Sequence, residues 1–169
     1  MCYNIIMNTH IVSGISDLID LLTYEYNHGH SHGYDELIVP FDVWRLPRCE
    51  FPLSFPKNMI IHGEFRLEEH HQISNFVTDS LKVDILDMMC SNVTSLPKKV
   101  HTESYMDVSD TQINELPNDL NVGSWLSIEN TGIQKLSSTM KIKKTIYSAE
   151  TQFSDKDRML YTLMGFKIR

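Results

Sequence analysis

The sequence predicts a mostly β protein with flanking helices, in which the central part of the chain coils as a short β-solenoid. Two stretches of twenty residues, 96–115 and 116–135, nearly superimpose, and each contains two apolar residues that lie two positions apart. The chain has 169 residues, of which 41% are hydrophobic and 22% are charged. This composition and length are typical of a single folded domain with a small appendage.

The repeat extends from residue 55 to residue 155. Its five units are 55–75, 76–95, 96–115, 116–135 and 136–155, and they open on Phe55, Phe76, Leu96, Leu116 and Leu136. Four positions later, four units carry a second apolar residue: Met59, Val100, Leu120 and Met140. The unit 76–95 has Ser80 there, and we expect Leu81 to take that place with a shift of one residue. Self-similarity at a fixed period of this length indicates a solenoid.

Each unit also contains the pair of residues that predicts its strand. These pairs are Phe65 and Leu67, Leu86 and Met88, Met106 and Val108, Leu126 and Ile128, and Ile146 with Ser148. Residues two apart point to one side of a strand, so both members face inward. A further apolar residue closes each unit: Ile73, Val93, Ile113, Ile133 and Phe153. Stacked as a parallel sheet at about 4.8 Å per step, five units span roughly 24 Å.

Residues 1–54 lack the repeat and form a predicted N-terminal α/β capping module. Apolar residues at helical spacing predict a helix over about 15–26, with Ser13 or Ser16 as its N-cap. The residues Asn27-His28-Gly29 end it. Residues 37–39 and 41–44 read as short strands, and we expect the helix and Trp44 to cover one end of the stack.

Residues 156–169 form the predicted C-terminal cap. Ser154 and Asp157 resemble a capping box with Asp in place of Glu. Along the following helix, an apolar group is expected to face the end of the sheet: Met159, Leu160, Leu163 and Met164. Gly165 stops this helix, and residues 166–168 alternate in the manner of a short strand.

The motif Leu126-x-Ile128-x-x-Thr131-x-Ile133 resembles the core of a leucine-rich repeat, L-x-L-x-x-N-x-L. The opening Leu116-Pro117-x-x-Leu120 is similar to the short repeats of bacterial secreted effectors and phage proteins. The resemblance covers about residues 55–155 and implies a leucine-rich-repeat-like solenoid. It departs from the family where the usual Asn is replaced by Thr111, Thr131, Thr151 and, in the second unit, Ser91. We expect these stacked hydroxyls to bond the backbone of their neighbours, more weakly than the family's Asn does.

Charge and composition exclude several classes of function. The net charge is −7 with a pI near 5.5, whereas nucleic-acid binders usually carry a basic stripe. No apolar run reaches the roughly 18 residues of a membrane span, and the start lacks the pattern of a signal peptide.

Cys2, Cys49 and Cys90 are far apart, which is typical of reduced thiols in a cytoplasmic protein. Ala149 is the single alanine, and this composition suggests an AT-rich genome such as that of a phage.

The outward residues of the predicted strands form the candidate binding surface. Ile85, Tyr105 and Trp125 precede the inward pairs and line up as one column. Beside them lie Arg66, Asp87, Asp107, Ser127 and Tyr147, with Glu129 after the pair. Aromatic side chains next to charges are typical of interaction hot spots, and such a sheet offers about 800 Å². The alternative is that the column packs under a loop or under the N-terminal segment.

Two catalytic interpretations compete with this one. His28, His30 and His32 alternate in a polar loop, and neutral imidazoles suit Zn²⁺, but their spacing matches no zinc motif. Carboxylates are plentiful, yet the chain has no glycine-rich phosphate loop, no GxSxG and no HExxH. The sequence therefore predicts no enzyme, no cofactor and no metal site.

The predicted function is a non-catalytic protein–protein interaction module whose partner has a basic surface. Tyr105 and Trp125 would anchor the partner, and the other contact residues would be Arg66, Asp87, Asp107, Glu129 and Tyr147. No direct binding to nucleic acid or membrane is expected. The composition favours a phage or mobile-element protein that inhibits a host defence protein in the host cytoplasm. The alternatives are a metal-dependent hydrolase or nuclease that uses the histidines, and a structural component of a virion.

Overall fold

The computed structural model describes residues 9–28, 36–43, 55–67, 78–151 and 153–169. It confirms the predicted fold class: the chain is mostly β and forms a β-solenoid of about five turns. One helix lies near the N-terminus and one at the C-terminus. Neither of these two helices is long and apolar enough to cross a membrane.

The structure describes ten strands and two helices within these residues. They are β1 (Thr9–Ile11), α1 (Ile15–His28), β2 (Glu36–Val39), β3 (Asn58–Arg66), β4 (Ser80–Asp87), β5 (Lys99–Thr102), β6 (Met106–Asp107), β7 (Asp119–Val122), β8 (Leu126–Ser127), β9 (Lys141–Ile142), β10 (Ile146–Tyr147) and α2 (Asp155–Leu163). All pairings between these strands are parallel.

Each coil contributes to two faces of the solenoid. The long face has the strand order β1-β2-β3-β4-β5-β7-β9. The second face, here called the aromatic face, consists of the last residues of β3 and β4 followed by β6, β8 and β10. Ile168 adds a further rung by bridging to Ile146. The strands of the aromatic face and β2 of the long face were predicted from the sequence, whereas β5, β7 and β9 of the long face were not.

The register explains which residues form the core. On the long face Leu81 lies between Met59 and Val100, so the expected one-residue shift at Ser80 is confirmed. On the aromatic face Leu126 and Ile128 have no exposed surface, as predicted. Because each inward residue rests on its counterpart in the next coil, the core is a continuous column rather than a set of separate clusters.

A residue with left-handed backbone marks the same corner of successive coils, directly after the strands of the aromatic face. These residues are Cys90, Asp110, Asn130 and Glu150, with φ between 50° and 57°. The next position carries the predicted threonine line. The hydroxyls of Thr111 and Thr131 donate to the carbonyls of Val108 and Ile128, each at 2.7 Å. The threonines therefore bond the backbone of their own coil, three residues back, rather than that of a stacked neighbour. Ser91 at the same position has no partner for its buried hydroxyl among the described residues.

The opposite corner requires a close approach between coils at Gly123. A Cβ on this residue would lie 1.9 Å from the carbonyl oxygen of Glu103 in the preceding coil. The amide of Gly123 donates to the carbonyl of Thr102 at 2.9 Å, which holds the two chains at this distance. Only glycine fits here without moving the backbone.

The N-terminal segment is built onto the same sheet. The predicted helix is confirmed as α1, and it connects the parallel strands β1 and β2. Leu18, Leu21 and Leu22 of α1 are buried in the hydrophobic core. The long face thus continues into residues that precede the first recognised repeat. Trp44 lies outside the described residues.

The C-terminal cap forms at the predicted place but turns a different side inward. Ser154 and Asp157 make both bonds of a capping box, and Gly165 after the helix has φ +94°. The expectation that an apolar group faces the sheet was wrong, because four side chains are 36–76% exposed: Met159, Leu160, Leu163 and Met164. Tyr161 is buried instead, with its ring 5.1 Å from that of Phe153 and its hydroxyl oxygen accepting the amide of Leu136 at 3.1 Å.

A polar contact joins α2 to the last full coil. Ser148 occupies the inward position that Val108 and Ile128 fill in earlier coils, and it is fully buried. The guanidinium of Arg158 donates to the hydroxyl of Ser148 at 2.8 Å and to its carbonyl at 3.0 Å. The hydroxyl in turn donates to the carbonyl of Arg169 at 3.1 Å. The departure of the fifth unit from the repeat therefore has a structural reason.

Replacing Thr102 by Val should stabilise the protein. Thr102 is fully buried between Val83 and Val122, and its hydroxyl has no partner among the described residues. Removing such a group relieves a desolvation cost of about 1–2 kcal/mol. The matched change Thr131→Val removes a 2.7 Å bond and should cost about 1 kcal/mol. Urea unfolding of both variants measures the difference, and a less stable Thr102→Val variant would contradict this account.

Replacing Arg158 by Ala should loosen the cap. The change leaves the buried Ser148 without its charged donor, which costs about 1–3 kcal/mol. Lys156→Ala on the same helix serves as the control, since that side chain is exposed. Hydrogen exchange of the amides of residues 146–148 gives the local readout. Equal protection in the two variants would show that Arg158 does not hold the cap.

Candidate functional site

Three aromatic side chains form a continuous cluster on the aromatic face, here called the aromatic ladder (Tyr105, Trp125 and Tyr147). The pairing of Met106 with Leu126 places Tyr105 and Trp125 side by side on adjacent coils. Their rings stack with centroids 4.3 Å apart and planes 7° apart. Tyr147, on the next coil, meets Trp125 edge to face at 5.9 Å. All three side chains are partly exposed, and the predicted column thus exists with Tyr147 joined to it.

The stacking decides what the ladder presents to solvent. One ring face of Tyr105 packs against one ring face of Trp125, because neighbouring coils bring equivalent residues within about 5 Å. Both residues remain partly exposed to solvent. Such side chains combine a large apolar area with a polar tip, which is why they are enriched at interfaces. The ladder is therefore a rigid, amphipathic surface feature.

Arg66 and its neighbours form a charge cluster next to Tyr105. The Nε of Arg66 lies 2.7 Å from a carboxylate oxygen of Glu64 and its terminal nitrogen lies 4.0 Å from Asp87. The bond to Glu64 is the main cause of a raised pKa for Arg66. Asp87 was expected to be an exposed contact residue, but it is only 8% exposed and accepts the amide of Met89 at 3.2 Å. This expectation is corrected: Asp87 helps to shape the corner after β4.

Asp107 is a partly exposed carboxylate beside the aromatic ladder, and Ser109 fixes its position. It is partly exposed, and one of its oxygens accepts the amide of Ser109 at 2.9 Å and the hydroxyl of the same residue at 2.5 Å. Within the described parts of the chain, no basic side chain lies at ion-pair distance from it. Its negative charge is therefore held in place by a neutral neighbour, and no described basic residue neutralises it.

Smaller residues alternate with the rings on the same face. Ser127 and Thr145 point outward but are only 4% and 7% exposed, because the ladder shields them. Ile85 precedes Tyr105 in its column and is partly buried, and Glu129 is partly exposed at the edge of the face. The face is thus uneven, with large and small residues on successive coils.

A basic end of the aromatic face was missed by the sequence analysis. The bridge from Ile146 to Ile168 places Lys167 beside Thr145 and Arg169 beside Tyr147. Both side chains are exposed, and neither has an ion pair with another described residue. The alternation of residues 166–168 predicted a strand, but the helix between it and the repeat concealed that this strand continues the same sheet.

The histidines singled out as low-probability metal ligands cannot be placed on this surface. His30 and His32, and the side chain of His28, lie outside the described residues. Across the described ranges, no group of three or more His, Cys, Asp and Glu residues is arranged to hold a metal ion. His101, on the long face, lies 3.1 Å from Glu103.

The chain matches no protein-family model, no curated protein and no solved structure. The resemblance to leucine-rich repeats stays a prediction that rests on the motif of residues 116–135. The interpretation of the site consequently depends on the geometry of its own residues.

The pKa of Tyr105 should lie above the ordinary value of about 10. Burial is the main cause, and the nearby carboxylates Asp87, Glu64 and Asp107 add to it, whereas Arg66 acts in the opposite direction. The neutral phenol is favoured in the folded state, so stability from this group is complete below about pH 10 and is lost as the pH rises through the folded-state pKa. Tyrosinate absorbance of the wild type minus that of Tyr105→Phe measures it.

Two further variants test the direction in which Asp107 and Arg66 each shift the pKa of Tyr105. Asp107→Asn should lower the pKa of Tyr105, and Arg66→Gln should raise it. A Tyr105 pKa at or below 10 in the folded protein would contradict the placement of the phenol beside this cluster.

Proposed function

We propose that the chain is a non-catalytic recognition module that holds a protein partner against its aromatic face. The observation that supports this most is the partly exposed aromatic ladder beside the carboxylate of Asp107, which has no basic neighbour among the described residues. Aromatic side chains surrounded by polar groups supply much of the binding energy of protein interfaces. The ladder brings three of them together on a backbone that the solenoid keeps rigid.

The shape of the face favours a macromolecule over a small ligand. A cavity of about 570 Å³ is lined by Asn114, Gly132 and Leu136, and another of about 450 Å³ lies on the long face near Lys82 and Lys99. Neither adjoins the ladder. Small-molecule sites are typically concave, whereas a ladder on the outer side of a sheet suits an extended contact.

The charges of the face define the partner that fits it. Asp107 and Glu129 present carboxylates next to the rings, and the whole chain carries a net charge of −7. Complementary charge steers a basic partner toward such a surface and fixes its orientation. Occupation of a basic surface on the partner would also block it, which is the inhibitory role that the sequence predicts.

A library of random peptides displayed on particles tests the proposal, because it offers the face every side-chain chemistry at once. We expect selection on the wild-type chain to enrich peptides that combine Arg or Lys with aromatic residues. The Tyr105→Ala/Trp125→Ala variant should bind the enriched peptides at least about 30-fold more weakly, corresponding to the loss of a hot spot of about 2 kcal/mol. Asp107→Asn should weaken the binding of basic peptides more than the binding of uncharged ones.

The matched control is Leu163→Ala, which removes a side chain that is 76% exposed on α2, away from the ladder. Its binding and its melting temperature should equal those of the wild type. The melting temperature of the double variant is recorded as well, because rings on the outside of the sheet should contribute less to folding than inward residues. Equal binding of the selected peptides by wild type and folded double variant would overturn the proposal.

A further inference from the structure

The aromatic face is complementary to itself when one copy is turned end to end. We propose that two copies of the chain pair through this face as an antiparallel dimer. The two-fold axis runs parallel to the strands and passes between the coils of β8 and β10. The inference rests on the proposed function, because it names a second copy of the chain as one occupant of the same face.

Charge is the first argument for this pairing. Residues 134–169 contain eight Lys and Arg against three Asp and Glu, a net charge of +5, so that residues 1–133 carry −12. On the aromatic face, Asp107 lies three coils from Arg169, about 14 Å at the spacing of a parallel sheet. The proposed axis exchanges these two coils, so Asp107 of each copy faces Arg169 of the partner subunit.

Shape is the second argument, and it uses the uneven face described above. The same axis exchanges the coils of β8 and β10. Trp125 of one copy then lies over Thr145 of the partner subunit, and Tyr147 lies over Ser127 of the partner subunit. Each large ring is thus paired across the axis with a small residue, Thr145 or Ser127, so that large and small residues alternate between the two copies. The proposed axis therefore places no aromatic ring of one copy directly opposite an aromatic ring of the other.

The alternative orientation is unfavourable. A two-fold axis along the solenoid would place each coil opposite the same coil of the partner subunit, so that the basic coil of Lys167 and Arg169 meets its own copy, and juxtaposed like charges oppose association. The cluster of Glu64, Arg66 and Asp87 lies beyond the overlap in the antiparallel arrangement, and its charges already contact each other. The antiparallel form is therefore the one that the charges select.

The overlap is small, which predicts a weak dimer. Four coils at about 4.8 Å give an overlap of roughly 19 Å along the solenoid, and the buried area falls below the about 800 Å² per partner of a stable complex. We expect the dissociation constant of the dimer to lie between about 10 µM and 1 mM. A dimer of this strength protects the ladder and yields to a partner that binds more tightly.

Charge exchange between two variants tests the dimer with the protein itself. In one variant Asp107 is changed to Lys, and in the other both Lys167 and Arg169 are changed to Glu. Each variant alone places like charges opposite each other and should stay monomeric in sedimentation velocity up to about 1 mM. An equal mixture restores both ion pairs and should associate at least about tenfold more tightly than either variant alone.

Two controls keep the result interpretable. Lys156→Glu changes the net charge on α2 and should leave the dimer unaffected. Asp107→Asn keeps an acceptor for Ser109 and should weaken the dimer with the fold intact, which separates loss of charge from damage to the corner. Circular dichroism and melting curves are recorded for every variant.

The outcomes separate the dimer from the proposed function. A wild-type chain that stays monomeric up to about 1 mM, or a mixture that associates no better than its components, overturns the dimer. If the peptides are still captured in that case, the proposed function stands without it. A dimer that forms in a chain that selects no peptides would support self-pairing and contradict recognition of a foreign partner.

Discussion

The parallel register of the coils is the constraint on which the rest of the structure depends. No coil can bury its own inward residues, so Leu126 is buried only because Met106 and Ile146 lie on either side of it. The corners must then repeat with the same geometry, which explains the left-handed residues and the hydroxyl bonds of Thr111 and Thr131. It also explains the close approach at Gly123. An error at one position would displace every coil beyond it.

The register orders the outside of the molecule as well as the inside. Residues at equivalent positions of adjacent coils become neighbours whatever their chemistry, so an aromatic residue at position 105 and another at 125 have to meet. The aromatic ladder, the paired charges around Arg66 and the basic end at Lys167 and Arg169 all follow from this rule. Their sequence along one face produces a gradient from acidic through aromatic to basic.

Much of this could be predicted from the sequence, because the period of the repeat is a physical consequence of stacking. The shift at Ser80, α1 and the capping box at Ser154 were predicted correctly. On the long face β2 was predicted, but β5 was missed because one of its two inward residues is the polar Thr102, which interrupts the alternation. The inward side of α2 was assigned wrongly because apolar spacing does not reveal that the hydroxyl of Tyr161 has a partner at Leu136. The burial of Asp87 was not predictable either, since it depends on where Arg66 and the corner after β4 lie.

Ser148 and Arg158 have an evolutionary consequence. Together they mark the last full coil chemically, since the hydroxyl and the carbonyl of Ser148 both accept hydrogen bonds from the guanidinium of Arg158 in the C-terminal helix. This pair ends the stack of coils, and both residues lie outside the two clearest repeat units, 96–115 and 116–135. Gene duplication of residues 116–135 would lengthen the molecule by one module and leave the pair of Ser148 and Arg158 untouched. Chains of different length within one lineage are therefore accessible by a single recombination event, with the same ends and a longer middle.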